Sequence, residues 1–277
     1  MDSVEDDKEQ PFGFGLAERL SDKSETRRSS APPRGGSVTS SASSATRSAT
    51  SSAGSSATSP SPLFRPVWRS DAEGAPSLEA AAAALEVVAA LWRAAAGGDA
   101  GGVQGALGKG ADVHAKDARD RGNAALHKAA GGGHPGVVGA LLAAGARPGA
   151  GNALGDAPLH CAAFSGCGAC VAALVRVGAV VDARSAEGET ALHCAAFWGS
   201  AAACSALMAA KADPNAATEG EGDTPLHLAA LGGNVPAALA LLFGGARPAQ
   251  VNGDGCTPAE LAELQGHDAV AKAILGR

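Results

Sequence analysis

Two cysteines separated by two residues, Cys167 and Cys170, have the spacing of a redox-active dithiol or of half a zinc site. Aligned with the preceding stretch of similar sequence, Cys167 takes the place of His134 at a turn, and Cys170 takes the place of the apolar Val137. This alignment predicts that the two thiols point apart. No second Cys-x-x-Cys pair follows. We therefore predict that these cysteines fill small packing positions and that the chain binds no metal.

Adjacent His and Cys residues occur at His160-Cys161 and again at His193-Cys194. A cysteine nucleophile needs a base within hydrogen-bond reach. On a helix, however, adjacent residues project about 100° apart and do not face each other. The histidine also recurs at four places, whereas a catalytic residue is more usually single. Since no Walker loop, metalloprotease helix or kinase signature is present, we predict a chain that is not an enzyme and needs no cofactor.

The sequence around these histidines recurs along the chain. A Leu-His pair occurs four times, with its histidines at His127, His160, His193 and His227. Successive histidines are 33, 33 and 34 residues apart, and Glu260 follows in the same phase. A Gly-Ala or Lys-Ala pair keeps this phase from Gly110-Ala111 to Gly245-Ala246. A period near 33 residues indicates a repeat array with one supersecondary unit per period.

The repeated unit resembles that of the ankyrin repeat family. Residues 222–230 read Gly-Asp-Thr-Pro-Leu-His-Leu-Ala-Ala, close to the family's Gly-x-Thr-Pro-Leu-His-x-Ala-Ala. The other copies depart from it, because Thr is missing before Pro158, Pro is missing after Thr190, and both are missing at Ala124-Ala125. The resemblance runs from about residue 85 to the C-terminus. It implies an all-α repeat solenoid of helix-turn-helix units with β-hairpin loops, whose repeated histidine forms hydrogen bonds within and between repeats.

A change of composition near residue 76 divides the chain. Residues 1–76 are rich in Ser, Ala and Thr, although two apolar islands, Phe12-Gly13-Phe14 and residues 63–68, interrupt them. This composition buries too little apolar surface to offset chain entropy, so we predict a disordered tail. Residues 77–277 are predicted to form the repeat domain, with caps at 77–117 and 251–277 and full repeats at 118–150, 151–183, 184–216 and 217–250.

The two residues after the Ala-Ala pair of each first helix are the candidate binding positions. The resemblance places them on the concave face of the array. Exposed apolar patches usually mark an interface, and Phe and Trp are effective anchors. In the alternative interpretation, the rings fold back onto neighbouring helices as core. We predict that these residues are at least partly exposed and bind a protein partner: Phe164, Ser165, Phe197, Trp198 and Leu231.

The loops beside these positions are acidic. A solvated loop face would have the same composition, but an acidic rim around an apolar centre favours a partner with a hydrophobic segment flanked by Lys or Arg. The 34-residue period places one extra residue within Glu219-Gly220-Glu221-Gly222, which predicts a longer loop there. The predicted rim consists of Asp156, Glu187, Glu189, Glu219, Glu221 and Asp223.

Composition narrows the choice of partner and compartment. The net charge is −6, and nucleic-acid binding requires clustered Lys and Arg, so we expect no nucleic-acid partner. No apolar run of transmembrane length and no secretory leader are apparent, and six cysteines read as free thiols. We therefore predict a monomeric cytoplasmic protein, although the same features are compatible with the nucleus.

Together these features predict a non-catalytic protein-protein interaction module or adaptor. Two alternatives remain open. One is a substrate-receptor subunit of an enzyme complex whose effector site lies elsewhere. The other is a thiol-based sensor that uses the cysteines between Cys161 and Cys204.

Overall fold

A computed structural model describes residues 78–276 of the chain. The predicted disordered tail at 1–76 lies outside the described residues. Within them, twelve helices form six helix-turn-helix pairs. The first helices of the pairs are α1 (Leu78–Ala96), α3 (Ala125–Gly131), α5 (Pro158–Phe164), α7 (Ala191–Phe197), α9 (Pro225–Leu231) and α11 (Pro258–Leu264). The second helices are α2 (Ala100–Gly108), α4 (Pro135–Ala143), α6 (Gly168–Arg176), α8 (Ala201–Ala209), α10 (Val235–Phe243) and α12 (Asp268–Leu275).

The helices stack in two rows. Each first helix contacts the first helix of the next pair, and each second helix contacts the next second helix. One pair falls within each predicted unit, so the mostly helical repeat solenoid is confirmed. The residue limits of the individual repeats stay a prediction.

The loops between pairs make hairpin-like turns. In the loop before α3, strand β1 (Lys116–Asp117) pairs antiparallel with β2 (Asn123–Ala124). Three later turns contain a backbone hydrogen bond across four residues, from Asn152 N–H to Asp156 C=O, from Ser185 N–H to Glu189 C=O and from Asn252 N–H to Cys256 C=O. The bond from Thr218 N–H to the Asp223 carbonyl spans five, because this loop contains the extra residue of the 34-residue period.

Small side chains set the distance between stacked helices. The Ala-Ala pair of the first helix is fully buried in four successive units, at 129–130, 162–163, 195–196 and 229–230. Fully buried leucines such as Leu159, Leu192 and Leu226 fill the space beside these pairs. Since protein cores are close-packed, no volume is left at the alanines for a larger side chain.

Ala196→Leu should therefore destabilise the array by about 2–3 kcal/mol, because three extra carbons must enter a filled space. The measurement is urea unfolding followed by circular dichroism. Ala172→Leu is the matched control, since Ala172 is exposed in the middle of α6 and leucine forms helix well there. An Ala196→Leu variant as stable as the control would show that the helices do not approach as closely as described.

A repeated histidine joins each unit to the next. In the second unit, His127 Nδ1 accepts the Ala124 N–H at 3.2 Å, and its Nε2–H donates to the Asp156 carbonyl at 3.1 Å. His160, His193 and His227 repeat both bonds, with their Nε2–H groups donating to the carbonyls of Glu189, Asp223 and Cys256. The family-like role expected for this histidine is thus present in four units.

Glu260 occupies the equivalent position in the last helix pair. Its side chain makes the hydrogen bond that each histidine makes within its own unit. Its Oε2 accepts the Thr257 N–H and the Thr257 hydroxyl, both at 2.8 Å. The backbone hydrogen bond from Thr257 lowers the pKa of the Glu260 carboxyl. The carboxylate therefore caps α11 from within its own unit.

Candidate binding surface

Two aromatic rings from neighbouring units meet at the ends of α5 and α7. The Phe164 and Trp198 ring centroids are 4.7 Å apart, with the ring planes inclined at 66°. Both side chains are half-buried. Edge-to-face contacts of this kind stabilise aromatic pairs beyond the area they bury. The two rings form a fixed, partly exposed surface across a repeat boundary, which we call the aromatic ledge.

The prediction that Phe197 and Leu231 are partly exposed is wrong. Phe197 is 8% exposed, and Leu231 is 1% exposed. Both belong to a small apolar cluster with Leu228 and Leu261, which Trp198 packs against. Leu228 and Leu261 follow the histidine or its Glu260 equivalent in their units, where the earlier units have Lys or Cys. These larger side chains from α9 and α11 thus cover Phe197 and Leu231. For Phe197 and Leu231, the alternative interpretation as core residues is correct.

Leu264 is an exposed apolar residue that the sequence reasoning missed. It occupies, at the end of α11, the position that Phe164, Phe197 and Leu231 occupy in earlier units, and it is 51% exposed. The same alignment column would have identified it, had the comparison been extended to the last, shorter unit.

Ser165 is exposed at the end of α5, as predicted, but its hydroxyl is engaged within the array. Ser165 Oγ–H is within hydrogen-bond distance of the Ala130 carbonyl at 2.8 Å and of the Ala162 carbonyl at 3.1 Å. The first of these bonds connects the α5 end with α3 of the preceding unit. Ser165 therefore helps to hold the residue next to Phe164 in place.

The predicted acidic rim divides into exposed and buried members. Glu187, Glu219 and Glu221 are exposed on the loops, and Asp156 is half-buried. Glu189 and Asp223 are 7% and 1% exposed, so their placement on the rim is wrong. Each precedes the first helix of its unit, where the histidine of the preceding unit binds its carbonyl and holds the residue between loops. The Asp223 Oδ1 also accepts the Asn252 amide N–H at 2.7 Å.

The loops pack closely enough for their carboxylates to repel one another. Burial raises the pKa of Glu189, and the charges of Glu187, Asp156 and Glu221 add to this effect, so that the pKa is about 8. Burial also raises the pKa of Asp156. Gly188, at a φ of +75°, lies where a Cβ would be 2.6 Å from Glu219 Cγ, so the longer loop rests directly on the loop before it.

The family comparison fits this architecture. A model of the family described as ankyrin repeats matches the chain in three copies, over residues 91–185, 140–218 and 192–277. The chain belongs to the ankyrin repeat family. No curated protein matches it significantly. Ankyrin repeats bind protein partners and are typically non-catalytic interaction modules.

Two further properties of the ankyrin array concern residues 78–276 only. No helix in that range is long and apolar enough to cross a membrane. In the same range, no group of three or more His, Cys, Asp or Glu side chains is arranged to hold a metal ion.

Glu189→Gln should stabilise the ankyrin array increasingly as the pH rises. The pKa of Glu189 is raised in the folded chain, so the unfolded chain loses this proton first and ionisation favours unfolding between about pH 4 and pH 8. The difference in unfolding free energy should be near zero at pH 4 and reach about 2–4 kcal/mol above pH 8. Urea unfolding at a series of pH values measures it. A difference that does not change with pH would contradict the burial of this carboxylate.

The six cysteines of the ankyrin array differ in burial. Cys170 and Cys204 are buried, and Cys161, Cys167, Cys194 and Cys256 are half-buried. Burial raises the pKa of the Cys204 thiol to about 12 and raises those of Cys161 and Cys194 as well. Although Cys161 and Cys194 retain some exposed surface, their thiol groups thus lie deep among protein atoms.

The expectation that Cys167 and Cys170 point apart is wrong. Cys167 Sγ accepts the Cys170 N–H at 3.2 Å, so the Cys167 side chain turns toward the backbone of Cys170. The alignment had placed both residues correctly, at the turn and facing inward. The side chain of a residue that caps a helix, however, turns back over the first turn, and this brings the Cys167 sulfur to the backbone of Cys170.

Native thiol labelling should separate the cysteines into two classes. We expect Cys161, Cys170, Cys194 and Cys204 to react slowly at pH 8, because burial keeps their thiols protonated. Labelling in urea should make all six react at one rate. The measurement is a time course of alkylation read by mass spectrometry, and fast native labelling at all six positions would contradict it.

Proposed function

We propose that this ankyrin array is a non-catalytic protein-binding module or adaptor whose partner contacts the aromatic ledge of Phe164 and Trp198. The observation that supports the proposal is the half-buried edge-to-face pair, which spans two units and rests on the buried cluster around Phe197. A rigid aromatic surface loses little side-chain entropy when a partner covers it. Aromatic anchors of this kind are typical of binding hot spots.

The partner that fits best has an apolar segment flanked by Lys or Arg. The exposed carboxylates of Glu187, Glu219 and Glu221 lie on successive loops. The pKa of Glu189 is raised by burial and, to a smaller extent, by repulsion from the neighbouring carboxylates, and a basic side chain placed near them would offset this repulsion. Binding of such a partner would therefore be linked to proton release from Glu189 near neutral pH.

We further propose a cytoplasmic site of action and a monomeric array, in keeping with the six free cysteines and the net charge of −6.

Partner capture with three full-length baits tests the proposal. The baits are the natural chain, Trp198→Ala and Phe243→Ala. Phe243 is the matched control because it is 91% exposed and lies at the end of a second helix, in the other row of the array. Proteins bound by the natural chain and by Phe243→Ala, but not by Trp198→Ala, would be ledge partners. A capture profile that is unchanged by Trp198→Ala would contradict the proposed site.

A further inference from the structure

Cys167 caps the N-terminus of α6 with a sulfur atom. Its Sγ accepts the Cys170 N–H, as the side-chain oxygens of Asp99 and Ser200 accept the corresponding N–H groups of α2 and α8. Oxygen is a better acceptor than sulfur, so capping alone would favour Ser or Asp at this position. The structural role of a cap therefore does not account for the choice of cysteine.

Cys170 completes the pair in the first turn of the same helix. It is fully buried, whereas Cys167 is half-buried and remains accessible. The equivalent residues are Val137 in α4 and Ala203 in α8, so apolar packing does not require a thiol here either. One accessible and one buried thiol thus lie three residues apart at a helix N-terminus, and the Cys167 sulfur is 3.2 Å from the Cys170 amide nitrogen.

We propose that Cys167 and Cys170 form a redox-active dithiol, which a low-molecular-weight disulfide of the glutathione class oxidises to an intramolecular disulfide. The proposal is independent of the binding function of the ledge. Residues three apart at the start of a helix have their Cβ atoms about 5–6 Å apart, and a disulfide needs Cβ atoms about 3.5–4.5 Å apart, so the two Cβ atoms must approach by about 1–2 Å. A small adjustment of the first turn, where Cys167 lies outside the helix proper, is sufficient to close the bond.

The order of the two steps follows from accessibility. The Cys167 thiol loses its proton, and its thiolate attacks one sulfur of the oxidant R–S–S–R, forming Cys167–S–S–R and releasing R–S⁻. The Cys170 N–H and the α6 N-terminus face the negative charge on Cys167 Sγ. Cys170 then loses its proton and attacks Cys167 Sγ, which releases the second R–S⁻. The two released thiolates take up the two protons, so one disulfide is reduced to two thiols while the protein dithiol is oxidised.

Cys170 suits the second step and not the first. Burial, and the neighbouring Cys167 side chain, raise the pKa of Cys170, so it stays protonated until the mixed disulfide forms beside it. Intracellular disulfides are commonly transient and redox-sensing, which agrees with an oxidation that small thiols reverse.

The test equilibrates the full-length chain with reduced and oxidised glutathione at a series of ratios. The sample is then quenched with acid, and its free thiols are alkylated. Mass spectrometry should find that the peptide containing Cys167 and Cys170 is not alkylated at either cysteine and is lighter than its dithiol form by two hydrogen atoms. The glutathione buffer in which the folded chain is half-oxidised should be about tenfold or more reducing than the buffer in which the urea-unfolded chain is half-oxidised. The reason is that the fold holds the two thiols together.

Three variants serve as controls, and circular dichroism verifies that each is folded. Cys161→Ala should still form the disulfide. Cys167→Ser, which keeps an oxygen cap like that of α8, and Cys170→Ala, which matches Ala203, should not. Cys170→Ala should instead accumulate the mixed disulfide on Cys167. The proposal is overturned if the folded natural chain forms only glutathione adducts, if the bond forms equally well in urea, or if Cys167→Ser still shows it.

Discussion

His193→Ala should lower the free energy of unfolding of the array by about 4 kcal/mol. The imidazole is fully buried at the centre of the array. Its Nδ1 accepts the Thr190 N–H at 3.1 Å and is 2.9 Å from the Thr190 Oγ1. Its Nε2–H donates to the Asp223 carbonyl at 3.1 Å. Alanine would leave these backbone groups unsatisfied and open a cavity between two units.

Chemical unfolding of His193→Ala beside His114→Ala measures this effect. His114 is exposed on a loop, so its removal should change the unfolding free energy by no more than about 0.5 kcal/mol. If the unfolding free energy of both variants falls by the same small amount, the hydrogen bonds of His193 do not stabilise the contact between units.

The pH dependence gives a second measurement on the same histidine. Burial lowers the pKa of both His127 and His193 to about 4, so below pH 6.5 the unfolded chain takes up protons that the folded chain does not. Stability should therefore fall as the pH drops from 6.5 to 4, by about 3 kcal/mol for each histidine. Glu189 has the opposite slope in this window. The contribution of His193 to stability is therefore obtained by subtracting the unfolding free energy of His193→Ala from that of the natural chain at each pH.

Trp198→Ala should weaken partner binding by about 30-fold or more, which corresponds to about 2 kcal/mol. The indole contacts Phe164 and Phe197 at centroid distances of 4.7 and 5.5 Å and remains half-buried. Its truncation should cost about 1 kcal/mol of stability, because part of the ring already faces solvent. The affinity loss should thus exceed the stability loss, whereas a core residue would show the reverse.

The fold could be predicted from the sequence because its signals repeat. A helix stop such as Gly199 or Gly233 recurs in each unit, and a phased Leu-His pair fixes the register, so the family and the helix pairs are confirmed. Side-chain exposure could not be predicted in this way. Leu231 is buried because Leu228 and Leu261 of its own and the next unit are large, and an alignment column holds no information about such neighbours.

The pair of Cys167 and Cys170 shows that side-chain direction within one turn of a helix is equally hard to predict from an alignment. The alignment assigned Cys167 to a turn and Cys170 to the interior, and both assignments are correct. The sulfur of a capping residue nevertheless turns toward the first turn of the helix, and this depends on side-chain torsions that the spacing does not determine. Glu189 is similar, since His160 of the preceding unit binds its carbonyl and holds it between two loops, a contact that an acidic loop composition does not indicate.

The most direct test of the binding account is a calorimetric titration of the captured partner into the natural chain, Trp198→Ala and Phe243→Ala, with a thermal melt of each. We predict a loss of affinity of about 30-fold or more for Trp198→Ala, none for Phe243→Ala, and melting temperatures that show all three chains folded. If Trp198→Ala binds as tightly as the natural chain, or loses stability while its affinity is unchanged, the ring is part of the core and the aromatic ledge is not the binding site.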